Sequence, residues 1–259
     1  MAMSQSPLTE QQALYQYTLR MADNALILGH RLSEWCGHGP FLEEDIGMIN
    51  TALDLLGQCR MLYSYAGEVE GKGRDEDDLA YHRDEREFTN FLIVEQPKGD
   101  FAYTTIRQFL VDVYNLYLYT DLCESKDQTL AAVAQKAIKE TRYHVRHTAE
   151  WVKRLGDGTE ASHEKMVTAL DEVWRFVNEM FEMDEVDQLM LDAGIGVDRA
   201  KIKERWLTKV DEVLSEATLQ RPVESYTRRG GRQGLHTEHM GFLLAEMQYV
   251  QRCNPGLAW

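Results

Sequence analysis

Cysteine is scarce in this chain: Cys36, Cys59, Cys123 and Cys253 lie far apart, and no C-x-x-C pair occurs. Zinc sites want close pairs, and secreted disulfide frameworks occupy much shorter chains, so the four read as reduced, structural thiols of a cytosolic protein. Basic residues are also in deficit, 28 against 43 acidic, for a formal net charge of −15. That balance excludes broad nucleic-acid binding, which needs clustered Lys and Arg. It leaves room for a local basic patch facing an anionic substrate or an acidic partner. No run approaches the ~20 apolar residues of a membrane span. The first ten residues, Met1 to Glu10, lack the basic flank and apolar stretch of a signal peptide, so a soluble, cytoplasmic protein is expected. Gly-x-Ser-x-Gly elbows and Rossmann fingerprints are missing as well.

What is present is helix. Hydrophobic residues make up 44% and charged residues 27%, ordinary for a globular protein. Leu14, Tyr17, Met21, Ala25, Leu28, Leu32 and Trp35 step by threes and fours, one apolar stripe on a helix over about 9–36. Gly37-His38-Gly39-Pro40 stops it. A second helix is predicted over 43–70, with acids in its first turn where the helix dipole favours them. The polar break Gly71–Asp78, one or two short helices to Val94, and a Pro97–Asp100 turn lead to helices over 101–124 and 128–155. Two long helices, a crossover of roughly thirty residues and two more give ferritin-like connectivity. Further helices are predicted over 159–191, 199–217 and 236–252. The reading is one all-α domain over 1–259: a ferritin-like four-helix bundle with a long crossover and additional C-terminal helices.

The fourth helix holds the candidate chemistry. Glu140, His144 and His147 share a face by i, i+4, i+7 spacing. Bundle oxygenases build a di-iron centre from a Glu on each of two helices and a Glu-x-x-His pair on each of the other two. The acid three before His144 falls on Thr141, and on the second helix Asp54-Leu55-Leu56-Gly57-Gln58 offers one acid and no His. The sole Glu-x-x-His match, Glu160 with His163, opens a helix outside the four core ones and reads as solvated surface. With Lys139, Arg142 and Arg146 beside them, Glu140, His144 and His147 read as an ion-pair network rather than ligands. His236-x-Glu238-His239 has metal-like spacing, but reads as a helix start with Thr237 and Glu238 as capping-type residues. The Arg228–Gly234 loop offers glycines and arginines to a phosphate, although no strand precedes it; a subunit-contact loop is an equal reading.

Several segments resemble the C subunits of bacterial phenylacetyl-CoA epoxidase. They are Asp23-Asn24, Arg31 to His38, Leu53 to Gln58, Asp84-Glu85-Arg86 and Leu92 to Pro97. Ala137 to Glu140, Arg142-Tyr143-His144, Gly234 to His239 and Leu244 to Tyr249 complete them, so that the likeness spans almost the whole chain. The resemblance implies a ferritin-like partner of a di-iron A subunit that epoxidises the ring of phenylacetyl-CoA. It places Leu55, Gln58 and Thr141 where that subunit has Glu, His and Glu. His144 is then a surviving His, and Asp112 on the third helix is a candidate surviving acid. No catalytic, cofactor-binding or metal-binding residue is expected here. The di-iron centre belongs to the partner, and an NADPH-dependent reductase to the complex. Tyr114, Tyr117, Leu118 and Tyr119 are candidate contact residues, with a core stripe as the alternative reading of the same positions. Two rival readings are a di-iron oxygenase using Glu140, His144, His147 and Asp112, and a self-assembling ferritin-like protein.

Overall fold

The structure is a computed structural model that describes residues 7–223 and 226–257. Among the described residues there are eleven α-helices and no strand. α1 (Glu10–Ser33) starts on a capping box between Thr9 and Gln12. α2 (Leu42–Glu70) ends on Gly71, whose φ of 71° is the left-handed conformation that glycine adopts freely. The crossover holds α3 (Glu76–Tyr81) and α4 (Leu92–Glu95), and the return pair is α5 (Phe101–Leu122) and α6 (Gln128–Gly156). Asp100 and Asp127 cap these two through the backbone N–H groups of Tyr103 and Leu130. α7 (Glu160–Trp174), α8 (Glu185–Asp192), α9 (Arg199–Glu216), α10 (Glu238–Met247) and α11 (Tyr249–Cys253) follow. This is the ferritin-like bundle with its long crossover and C-terminal additions. No described helix is long and apolar enough to cross a membrane.

α1 packs most closely on α2 and α5 on α6, with α2 against α6 closing the bundle. The additions wrap it: α7 and α9 lie on α5, and α8 lies on α1. Of the two readings of the aromatic positions on α5, contact surface or core stripe, the core stripe holds. Tyr114, Leu118 and Tyr119 are buried, and Tyr117 is half-buried with the Arg205 guanidinium 4.9 Å from its ring centre. Trp206 on α9 is wholly buried; its indole N–H donates to the Leu110 carbonyl at 2.8 Å, and Trp174 and Phe181 flank its ring.

Two predicted helices are broken. The 159–191 segment is α7, a 3-10 turn over Val177–Phe181, and α8. The turn is there to aim a carboxylate: Glu179, buried within it, accepts from the N–H groups of Leu92, Gly230 and Gly231. α8 restarts on Asp184, which caps Val186 and Asp187. The 236–252 segment breaks at Gln248, whose side-chain amide donates to the carbonyls of Ala80 and Arg83 in the crossover. All four cysteines are free; Cys59 is buried, but Cys36 and Cys253 are exposed, so a packing role fits Cys59 best.

Candidate functional site

The centre of the bundle, where α2, α5 and α6 face one another, holds the predicted cluster as separate pairs. On α6 the i, i+4, i+7 face does turn toward α2. His144, buried, places its Nε2 2.9 Å from Asp54, and the half-buried His147 places its Nε2 3.0 Å from Glu44 Oε2. Glu140 accepts from the Gln58 amide at 2.9 Å, and Gln58 in turn accepts from the Tyr119 hydroxyl at 3.0 Å. Thr141 donates to the Ala137 carbonyl of its own helix. Leu55 is 1% exposed and packs in the core, beside Gly29 of α1.

Asp112 on α5 lies beside these pairs, close enough to feel His144 and His147, without bonding to either histidine. Gln108 donates to its Oδ1 at 2.7 Å, and the Thr148 hydroxyl lies 3.1 Å from its Oδ2. Burial pushes its pKa up to about 6, against the opposing pull of His144 and these two hydrogen bonds. A cavity of ≈ 20 Å³ borders the pairs, lined among others by Glu44, Gln108, His147 and Thr148. That is room for about one water molecule and no substrate.

The ion-pair network predicted for Lys139, Arg142 and Arg146 does not form. Glu140 turns inward to Gln58, whereas the three cations point outward and are exposed. The other candidates serve the fold. His163 takes the Gly156 carbonyl at 2.7 Å, and Glu160 is exposed in the first turn of α7. His236 sits between the Glu95 carboxylate (2.7 Å) and the Phe88 carbonyl (3.0 Å). Burial lowers its pKa, but Glu95 and the Phe88 carbonyl outweigh that and hold it above the ordinary value, favouring the imidazolium. Thr237 occupies the N-cap position of α10 without capping it; its N–H and hydroxyl both go to Glu95. His239 offers its carbonyl to Arg31. In the Arg228–Gly234 loop, the two backbone N–H groups suited to an anion already hold Glu179, and Arg232 pairs with Asp187.

Sequence reasoning missed the most heavily used acids. Asp23, wholly buried, accepts from Tyr63, Arg83 and both donors of Thr89. Asp187 faces Arg20, Arg199 and Arg232. In the sequence Glu44 is simply a dipole-complementing acid of the second helix, and its pairing with His147 has no local signal. Asp23 and Glu95 do have one, since both lie in segments that carry the resemblance.

The donor chemistry does not suit a di-iron centre. Such a centre needs several converging carboxylates, whereas Leu55 supplies no donor, Gln58 a neutral amide, and the acids are dispersed. Among the described residues no group of three or more His, Cys, Asp and Glu side chains is placed to hold a metal ion.

Comparison with known proteins places this fold. The profile of the family described as "Phenylacetic acid catabolic protein" matches residues 1–259. The chain belongs to this phenylacetic acid catabolic protein family. A relative from Escherichia coli (strain K12), the C subunit of its 1,2-phenylacetyl-CoA epoxidase, is 51% identical over 246 residues, 95% of this chain and 99% of the relative. Within this family member, the segments that carry the likeness are largely the ones that fasten crossover, first helix and C-terminal loop together.

Proposed function

We propose that the chain is the C subunit of a phenylacetyl-CoA epoxidase and acts in it as a non-catalytic, structural subunit. Its task is to pack helix on helix against the di-iron catalytic A subunit and hold that subunit folded and oriented. The observation that carries this reading is the internal pairing of the candidate ligands at the bundle centre. Each surviving donor there is held by another group of the chain (His144 by Asp54, Glu140 by Gln58, Asp112 by Gln108), and Leu55, which the resemblance sets at a ligand position, is a buried apolar residue. Iron, oxygen activation and electrons from an NADPH-dependent reductase fall to the other subunits, and the cytoplasm is the compartment for such a complex.

Iron quantification on two preparations tests this. Iron is expected with the co-purified complex and at well below one equivalent in the isolated chain. Stoichiometric iron in the isolated chain overturns the assignment in favour of a di-iron subunit with an unusual ligand set. A stable, solitary homo-oligomer that ignores a co-expressed A subunit points instead to a self-assembling ferritin-like protein.

A further inference from the structure

The outward side of α2 carries Leu42, Ile46, Ile49, Leu53 and Leu56, spaced alternately by four and three residues. Leu42, Ile46 and Leu53 are 70%, 50% and 59% exposed, and Ile49 and Leu56 are half-buried. The stripe runs for about 21 Å along the helix at 1.5 Å per residue. A 4-3-4-3 repeat is the seam spacing that admits the side chains of one further helix between its own. Leu56 leans on the core beside Gly29 of α1, while Leu42, Ile46 and Leu53 stay open among the described residues.

α6 runs beside α2, joined to it by the Gln58–Glu140 and Asp54–His144 pairs and by Lys136 Nζ, 3.9 Å from Met61 Sδ. Its outward face presents Lys136, Lys139, Arg142 and Arg146, all exposed. None has a carboxylate within 4.0 Å among the described residues, whereas Lys153 and Arg154 further along α6 pair with Glu216 and Glu150. Four uncompensated cations within about 15 Å of helix run against the net charge of −15 of the chain. They repel one another, and an acidic surface laid against them relieves that repulsion.

We propose that the α2 stripe and the α6 cation ridge form one docking surface. It takes a helical partner subunit whose apolar seam is edged with carboxylates. This rests on the reading of the chain as an epoxidase subunit and assigns the surface by which it binds. An antiparallel second copy fits less well, because a two-fold axis across α2 brings the two cation ridges face to face.

Titration of purified variants against the catalytic A subunit tests the surface. Ile46→Asp with Leu53→Asp is expected to weaken association roughly a hundredfold. Lys139→Glu with Arg142→Glu and Arg146→Glu is expected to weaken it roughly tenfold. Wild-type affinity falls as salt rises from about 0.1 M to about 1 M, and the charge-reversed variant loses that dependence. Val167→Asp, on the exposed side of α7, is the control. Should the Asp variants unfold, Ile46→Gln with Leu53→Gln gives the same reading with less disturbance. Wild-type binding by both sets, or a loss caused instead by Phe242→Asp on α10, overturns the surface while leaving the subunit reading intact. A homo-oligomer that these variants dissolve gives the surface to a second copy and overturns the proposal too. Failure of the wild-type chain to bind the A subunit overturns both the surface and the subunit reading.

Discussion

The bundle centre and a clamp of three buried carboxylates outside it (Asp23, Glu95 and Asp187) handle polar groups in opposite ways. At the centre, single hydrogen-bonded pairs bridge α2, α5 and α6, and a partner such as Asp54 stays partly in water. At the clamp, charge is concentrated and dry: Asp187 meets three guanidiniums, Asp23 an Arg, a Tyr and a Thr, and Glu95 an imidazole and a Thr. Position explains the difference. The clamp joins segments remote in sequence, and multiply bonded carboxylates give each a single geometry. The centre joins helices already aligned by their apolar stripes, so its polar pairs have less to specify.

Breaking the clamp is therefore expected to have the largest effect. Asp187→Ala leaves Arg199 with no carboxylate within 4.0 Å among the described residues and Arg20 and Arg232 with Asp184 alone, and costs about 3–5 kcal/mol of stability. Urea unfolding measures it, and a loss below about 1 kcal/mol would show that the contrast between the regions is not energetic. Glu95→Gln is next, at about 2–3 kcal/mol, since it weakens charge-assisted bonds to His236 and Thr237. It also carries a pH signature. The folded pKa of His236 is raised above its ordinary 6.5, so the pair contributes fully below that value. The contribution fades as pH rises through the folded pKa. Unfolding curves across this window are expected to slope downward in the wild-type protein and to flatten in Glu95→Gln.

The centre responds least, and in the other direction. Asp112 titrates near 6 in the folded state against about 3.9 unfolded. The folded state thus holds the extra proton between those values, and stability falls as pH rises from about 4 to about 6. Asp112→Asn removes that penalty and is expected to stabilise the protein at pH 7 by on the order of 1 kcal/mol, after allowing for weaker hydrogen bonds. A destabilisation of several kcal/mol would place the centre in the same class as the clamp.

The same contrast marks how much could be read beforehand. Helices with a continuous apolar stripe and a nearby cap were legible to within a few residues, because α1, α2, α5 and α6 are specified by neighbours three and four positions away. The face of α6 bearing Glu140, His144 and His147 was legible for that reason too. Their partners were not, since Asp54, Gln58 and Glu44 reach them from a helix 82 to 103 residues earlier. The breaks after Trp174 and Met247 were hidden likewise: Glu179 and Gln248 interrupt otherwise helical patterns to serve backbone groups 51 to 168 residues away. Burial of Tyr114 and Tyr119 escaped because the sequence of α5 does not reveal that Phe91 and Phe181 will meet the one and Gln58 of α2 the other.

Arg31 on α1 donates to the carbonyl of His239, 208 residues later, and Arg20 to Asp184, 164 residues later. α1 is thus completed by residues made long after it. The surroundings of α1 have to await residues some two hundred positions later, with a large loop to close before α1 gains its final neighbours. Until then the apolar sides of α1 stand open, and the interval of synthesis, at about 5–20 residues per second, lasts on the order of ten seconds or more. A stalled or C-terminally clipped chain is consequently a target for chaperones and proteases, however sound its four long helices.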